Sequence, residues 1–141
     1  MGGVIVVGVD SSQTASKAAE CARDLAVATG ASLHVVTAFD SDRTEVIGRG
    51  SDQIVLSEAD SAELVAKRLG GSAGSELKVS YSAARGKPAE ALIKEAIRLD
   101  ATMIVVGNRR MRGIGRVLGS VANSVAHNAP CDVYIANTYD D

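Results

Sequence analysis

The chain has 141 residues, of which 46% are apolar and 3% aromatic, and its formal net charge is −2. That length suits one domain with one core, and the near balance of charge excludes a global pull toward nucleic acid or acidic membranes. No apolar run reaches the roughly 18 residues of a membrane span, and the two cysteines, Cys21 and Cys131, stand too far apart to suggest a disulfide framework, which makes a reducing cytosol the expectation.

Met1-Gly2-Gly3 lacks the basic region and cleavage site of a signal peptide, and Val6 stands where N-myristoylation prefers Ser or Thr. Residues 4–9 are apolar apart from Gly8 and read as a first strand, ending at Asp10-Ser11-Ser12. Ala15, Ala18, Ala19, Ala22, Leu25 and Ala26 then recur at helical spacing, and Gly30 is a fitting stop. So many alanines on one face let that helix lie close to a sheet. Residues 33–39, LHVVTAF, form a second strand, completing a βαβ unit with a right-handed crossover expected.

Residues 42–53 read as a mobile polar connection, 54–69 as a second helix and 70–75 as a loop. Residues 77–83 alternate as a third strand. Gly86-Lys87-Pro88 starts a third helix with Ala89, Leu92, Ile93, Ala96 and Ile97 as its buried stripe. A buried fourth strand ends at Val106-Gly107-Asn108, and a last helix and a last strand follow, the helix stopped by Pro130. Alternating strands and helices predict an α/β fold, a single doubly wound domain with a parallel sheet and no internal boundary.

Ligands of such sheets bind outside the carboxyl ends of the strands, at the topological switch point. The ends at Gly8-Val9-Asp10, at Ala38 and at Val106-Gly107-Asn108 are therefore of interest. Between the fourth strand and the last helix lie Arg109, Arg110, Arg112 and Arg116 with Gly113 and Gly115, before Gly119-Ser120, where Ser120 reads as the N-cap. A strand, a glycine loop and a helix N-terminus in that order suit a phosphate: the first helical turn offers N–H groups and a positive dipole end, glycines allow close approach, and arginines add charge-assisted hydrogen bonds. The competing reading is a solvated loop whose arginines only wet the surface.

Several motifs fail. No G-x-x-x-x-G-K-[ST] is present. In Gly113-Ile-Gly115-Arg-Val-Leu-Gly119 the last glycine falls one residue late for a dinucleotide fingerprint. Gly70-Gly-Ser72-Ala-Gly74 matches G-x-S-x-G, but helix, loop and strand is the wrong order for a nucleophile elbow. A response-regulator receiver needs an acidic residue where Ala83-Ala84-Arg85 stands, and an ATP pyrophosphatase needs more glycine beside Asp10. His34 and His127 have no partner at metal-ligand spacing and read as packing or surface residues, and the cysteines as buried small apolar ones.

VGVDSS, ARGKPAEALIKEA, ATMIVVGN and GSVANSVAHNAPCDVYI resemble the corresponding stretches of the universal stress protein family over nearly the whole chain. The family's nucleotide-binding pattern is G-x-x-G, nine residues, then G-[ST]. Gly107 and Gly119-Ser120 match it, Arg110 replaces the second glycine, and the run 111–118 has eight residues. The resemblance implies a five-stranded sheet in the order 3-2-1-4-5 with helices on both faces. It also implies a homodimer through the last strand, Val133, Tyr134, Ile135 and Ala136.

For the ligand, the resemblance implies an adenine nucleotide, ATP with or without Mg2+, or AMP or cyclic AMP. Gly8, Val9, Asp10 and Ala38 would flank adenine and ribose, Asp10 alternatively or additionally capping the first helix. Gly107, Asn108, Gly119 and Ser120 would hold the phosphates, with Arg109, Arg110 or Arg112 as charge partners and Val106, Gly113 and Val121 as further residues of the site. With no activated nucleophile in view, a regulatory binder is expected, with slow ATP hydrolysis at most. The changed loop motivates a second reading, a dimeric interaction module that has lost the nucleotide.

Overall fold

The computed structural model describes residues 3–9, 13–39, 77–107 and 119–137. The expected second helix at 54–69, its flanking loops with Ser72, and the arginine loop at 108–118 lie outside them. Strand β1 is Val4–Gly8, helix α1 Gln13–Thr29, and strand β2 Ser32–Phe39. Then come β3 (Val79–Arg85), α2 (Pro88–Arg98), β4 (Met103–Gly107), α3 (Ser120–Asn128) and β5 (Asp132–Ala136). All pairings are parallel and the strand order is β3-β2-β1-β4-β5. The doubly wound α/β reading and the order of strands are thus as expected.

Branched apolar residues build the sheet because both its faces are covered. Ile5, Val7, Leu33, Val35 and Val105 point to one side and meet Ala18, Ala19, Ala22 and Ala26 of α1. Alternation sends Val6, Val36, Ile104 and Val106 to the other side, against Ala89, Leu92 and Ala96 of α2 and Ala122 and Val125 of α3. Helices therefore lie on both faces. The alanine ridge of α1 is fully buried. The helix ends where Gly30 takes a positive φ of 73° and the Ala31 N–H bonds the Ala26 carbonyl, a left-handed C-terminal cap.

Three sequence expectations shift. The third strand runs to Arg85 rather than 83, because its ladder with β2 continues from Leu33–Val79 to Phe39–Arg85. Ile97 is 64% exposed, and Glu95 takes an inward position on α2 instead. Hydrogen-bond partners for its carboxylate outweigh the pull of the apolar pattern there. Cys21 and Cys131 are half-buried and unpaired rather than fully buried. Burial, helped by the Asp132 charge, still pushes the Cys131 thiol up.

Candidate functional site

The sheet's connections reverse direction between β1 and β4. From β1 the chain moves outward to β2, and from β4 it moves the other way to β5. The carboxyl ends of these two central neighbours define the switch point. Val7 pairs with Val105, so Gly8 and Val106 follow side by side, and Val9 and Gly107 lie one step further. Val9 and Val106 are buried, while Gly8 and Gly107 are half-buried.

Gly8 has a packing reason of its own. A Cβ there would lie 3.1 Å from both Cδ atoms of Leu92 on α2. The missing side chain lets α2 approach the end of β1. The Val9 N–H donates to the Val36 carbonyl at 2.8 Å. Backbone groups of a strand alternate between its two neighbours. The same alternation aims the Ala38 N–H and carbonyl toward the β1 side, past the point where β1 has ended.

Helix α3 begins at the same edge. Its N-cap is Gly119, with extended backbone (φ −61°, ψ 157°), and no side chain among the described residues caps it. The Gly119 carbonyl accepts the first helical bond from the Asn123 N–H at 2.9 Å. Ser120 was expected at the cap but is the first helical residue, because that bond already starts at Gly119. Ser120 is exposed and Val121 half-buried, so the first turn opens outward. The first turn of a helix offers N–H groups and the positive dipole end to an anion. Asp10, Asn108, Arg109, Arg110, Arg112 and Gly113 lie outside the described residues.

A second polar assembly was not expected. His34 of β2 is 4% exposed and faces α2 between strand and helix. Its Nδ1 lies 2.6 Å from Ser80 Oγ and its Nε2 2.9 Å from Ser82 Oγ, both on β3. Ser82 Oγ donates to Glu95 Oε1 at 2.9 Å. Arg98 grips the same carboxylate, Nε to Oε2 at 2.9 Å and Nη2 to Oε1 at 2.7 Å. Glu95 Oε1 is also 3.4 Å from His34 Nε2.

The Arg98 hydrogen bonds hold the Glu95 carboxyl down at about 2 against the effect of its burial, with Ser82 assisting. Burial pushes the His34 imidazole below its ordinary 6.5, against the pull of the Glu95 charge. Reading each histidine alone along the chain missed this cluster. The signal was His34 in an apolar strand opposite two serines two residues apart, which only strand pairing reveals. Among the described residues, no group of three His, Cys, Asp or Glu side chains could hold a metal ion.

Comparison with known proteins follows the same lines. The family described as the universal stress protein family matches residues 1–137. A universal stress protein of Mycobacterium tuberculosis is 32% identical over 141 aligned positions, covering 95% of each chain. The first curated relatives matched are longer, and this chain spans about half (47%) of their length. Among solved structures, a universal stress protein in complex with cAMP superposes with a TM-score of 0.72 at 29% identity, covering 97% of this chain and 98% of that one. A universal stress protein from Archaeoglobus fulgidus in complex with dAMP gives 0.66 at 20% identity, covering 96% and 97%, a likeness of fold.

Proposed function

Because the chain belongs to the universal stress protein family, we propose that its switch point binds an adenine nucleotide and that binding serves regulation rather than turnover. One observation carries the reading: the ends of β1 and β4 and the N-terminus of α3 gather at one edge of the sheet. Adenine and ribose lie along Gly8, Val9 and Ala38, where backbone groups face past the end of β1. Phosphate oxygens meet Gly107 and the first turn at Gly119, Ser120 and Val121. Asp10, Asn108, Gly113 and the arginines at 109, 110 and 112 complete the site from outside the described residues.

ATP with Mg2+ is the ligand put first. The cAMP complex of a relative at 29% identity favours a second reading, in which a single phosphate fills the shorter loop. Two chains pair through β5, the outer strand of the sheet, where Tyr134 is 42% and Ile135 37% exposed. Val133 is half-buried and Ala136 buried, so these two anchor the strand inward. The cytosol is the proposed compartment. No described helix is long and apolar enough to cross a membrane.

Calorimetric titration with ATP and Mg2+, then AMP, then cAMP, tests the reading. Saturable binding at micromolar affinity is expected for one of them. Gly119→Leu would place a bulky group at the helix start and weaken that binding by at least about tenfold, roughly the 1.4 kcal/mol that closing off one or two N–H contacts removes. An unchanged affinity in that variant rejects this placement of the phosphates. Silence with all three nucleotides favours the interaction-module reading. Sedimentation at micromolar concentration tests the dimer, and a monomer there rejects it.

A further inference from the structure

The cluster on the α2 face of the sheet forms one directed chain of hydrogen bonds. An ionised carboxylate only accepts, so the single Ser82 hydroxyl hydrogen goes to Glu95 Oε1 at 2.9 Å. Ser82 Oγ must then accept at its other contact, which makes His34 Nε2, 2.9 Å away, the protonated nitrogen. In a neutral imidazole the other nitrogen is bare. His34 Nδ1 therefore accepts, and its partner is the Ser80 hydroxyl at 2.6 Å. The order runs Ser80 to His34 to Ser82 to Glu95, with Arg98 fixing the last member from two sides.

The two ends differ in access. The His34 side chain is 5% exposed and that of Glu95 9%, whereas Ser80 is exposed on β3, the outer strand of the sheet. The base is thus shielded from water, while the residue whose hydroxyl it holds lies at the surface. A serine bonded to a neutral histidine, itself oriented through a hydroxyl by a buried carboxylate, is the arrangement that activates a nucleophile.

We propose that Ser80 is an activated nucleophile that accepts an acyl group from an activated ester, with His34 Nδ1 as its general base and Ser82 and Glu95 positioning the ring. In the step, a bond forms between Ser80 Oγ and the carbonyl carbon, and the bond from that carbon to the leaving oxygen breaks. The Ser80 proton passes to Nδ1 and leaves with the departing alcohol. The products are O-acyl-Ser80 and the free alcohol. This site is separate from the switch point and does not depend on nucleotide binding.

A fluorophosphonate probe tests this, read by intact mass and peptide mapping. Attack forms the Ser80 Oγ–P bond and expels fluoride. The expected result is one adduct, on Ser80, absent in Ser80→Ala. His34→Asn should slow labelling by at least about 100-fold, the lower end of what a positioned general base contributes. A thermal melt reports whether that variant is folded. If it is not, Ser82→Ala carries the test: labelling slows, and Ser82→Thr, which keeps the hydroxyl, restores it. The proposal is overturned if Ser80 labels no faster than the other exposed serines. It is equally overturned if a folded His34→Asn variant, or Ser82→Ala, labels at the rate of the unaltered chain.

Discussion

The carboxyl edge of the sheet and the cluster beneath α2 are both polar places in an apolar fold, and they are built oppositely. At the edge the groups of the proposed site are backbone: the end of β1, the Ala38 groups beyond it, and the first turn of α3 after Gly119. Beneath α2 they are side chains from three elements, and each meets a partner at hydrogen-bond distance. A backbone site is vulnerable to added bulk and indifferent to many side-chain exchanges. A side-chain network is vulnerable to removal, because each deletion strands a buried neighbour.

Removal should have the largest effect. Glu95→Ala leaves the Ser82 hydroxyl without its acceptor in the interior and removes the anchor of the whole chain of hydrogen bonds, and it is expected to cost about 3 kcal/mol, the order seen when one partner of a buried polar network is deleted. Urea unfolding measures it, and a cost under about 1 kcal/mol, the range of exposed pairs, would make the cluster a surface feature. Added bulk comes next. Gly8→Val places a branched side chain where a Cβ already meets Leu92 at 3.1 Å, and overpacking of that kind costs about 2 kcal/mol. A fully stable Gly8→Val variant would show that α2 has room to move.

Acidity separates the two regions without mutation. The folded-state values of both His34 and Glu95 lie below their ordinary ones. Each therefore contributes stability that is complete above its unfolded value and lost as pH falls. Loss from His34 should begin near its ordinary 6.5 and continue as pH drops, and loss from Glu95 should run from 4.5 down to about 2. Denaturant midpoints taken across that range should decline in both windows. In Glu95→Gln the lower decline should shrink, and an unaltered profile would assign the acid sensitivity elsewhere.

The smallest effect should have the opposite sign. Thr37 is fully buried, and its Oγ1 meets no hydrogen-bond partner among the described residues. Thr37→Val removes an unsatisfied hydroxyl at nearly constant volume and should stabilise by about 1 kcal/mol. A loss of similar size would reveal a partner for the hydroxyl.

The two regions also differ in how much of them a single chain discloses. Gly107, Gly119 and Ser120 lie within one stretch, so their spacing can be read directly, and unbroken apolar runs such as IVVGV and MIVVG disclose strands buried on both faces. The cap itself was misplaced by one residue, because serine is the commoner cap and only the Asn123 bond decides for Gly119. His34, Ser80, Ser82 and Glu95 are brought together by pairing across 46 positions and by a helix crossing above. No local pattern encodes that meeting. Glu95 even broke the pattern used to find the core, since the apolar stripe of α2 favoured Ile97 for an inward place that a well-partnered carboxylate took.

The ridge of Ala18, Ala19, Ala22 and Ala26 on α1 leaves the fold no slack there. Alanine is the smallest residue that still favours a helix, so a change to glycine loses helical preference and any other change adds volume. A saturation scan of α1 should therefore show four positions closed to nearly every substitution on a helix whose outward residues accept most. Helix and sheet are fixed at one separation by a row of methyl groups, and that spacing behaves as a length standard for the whole domain.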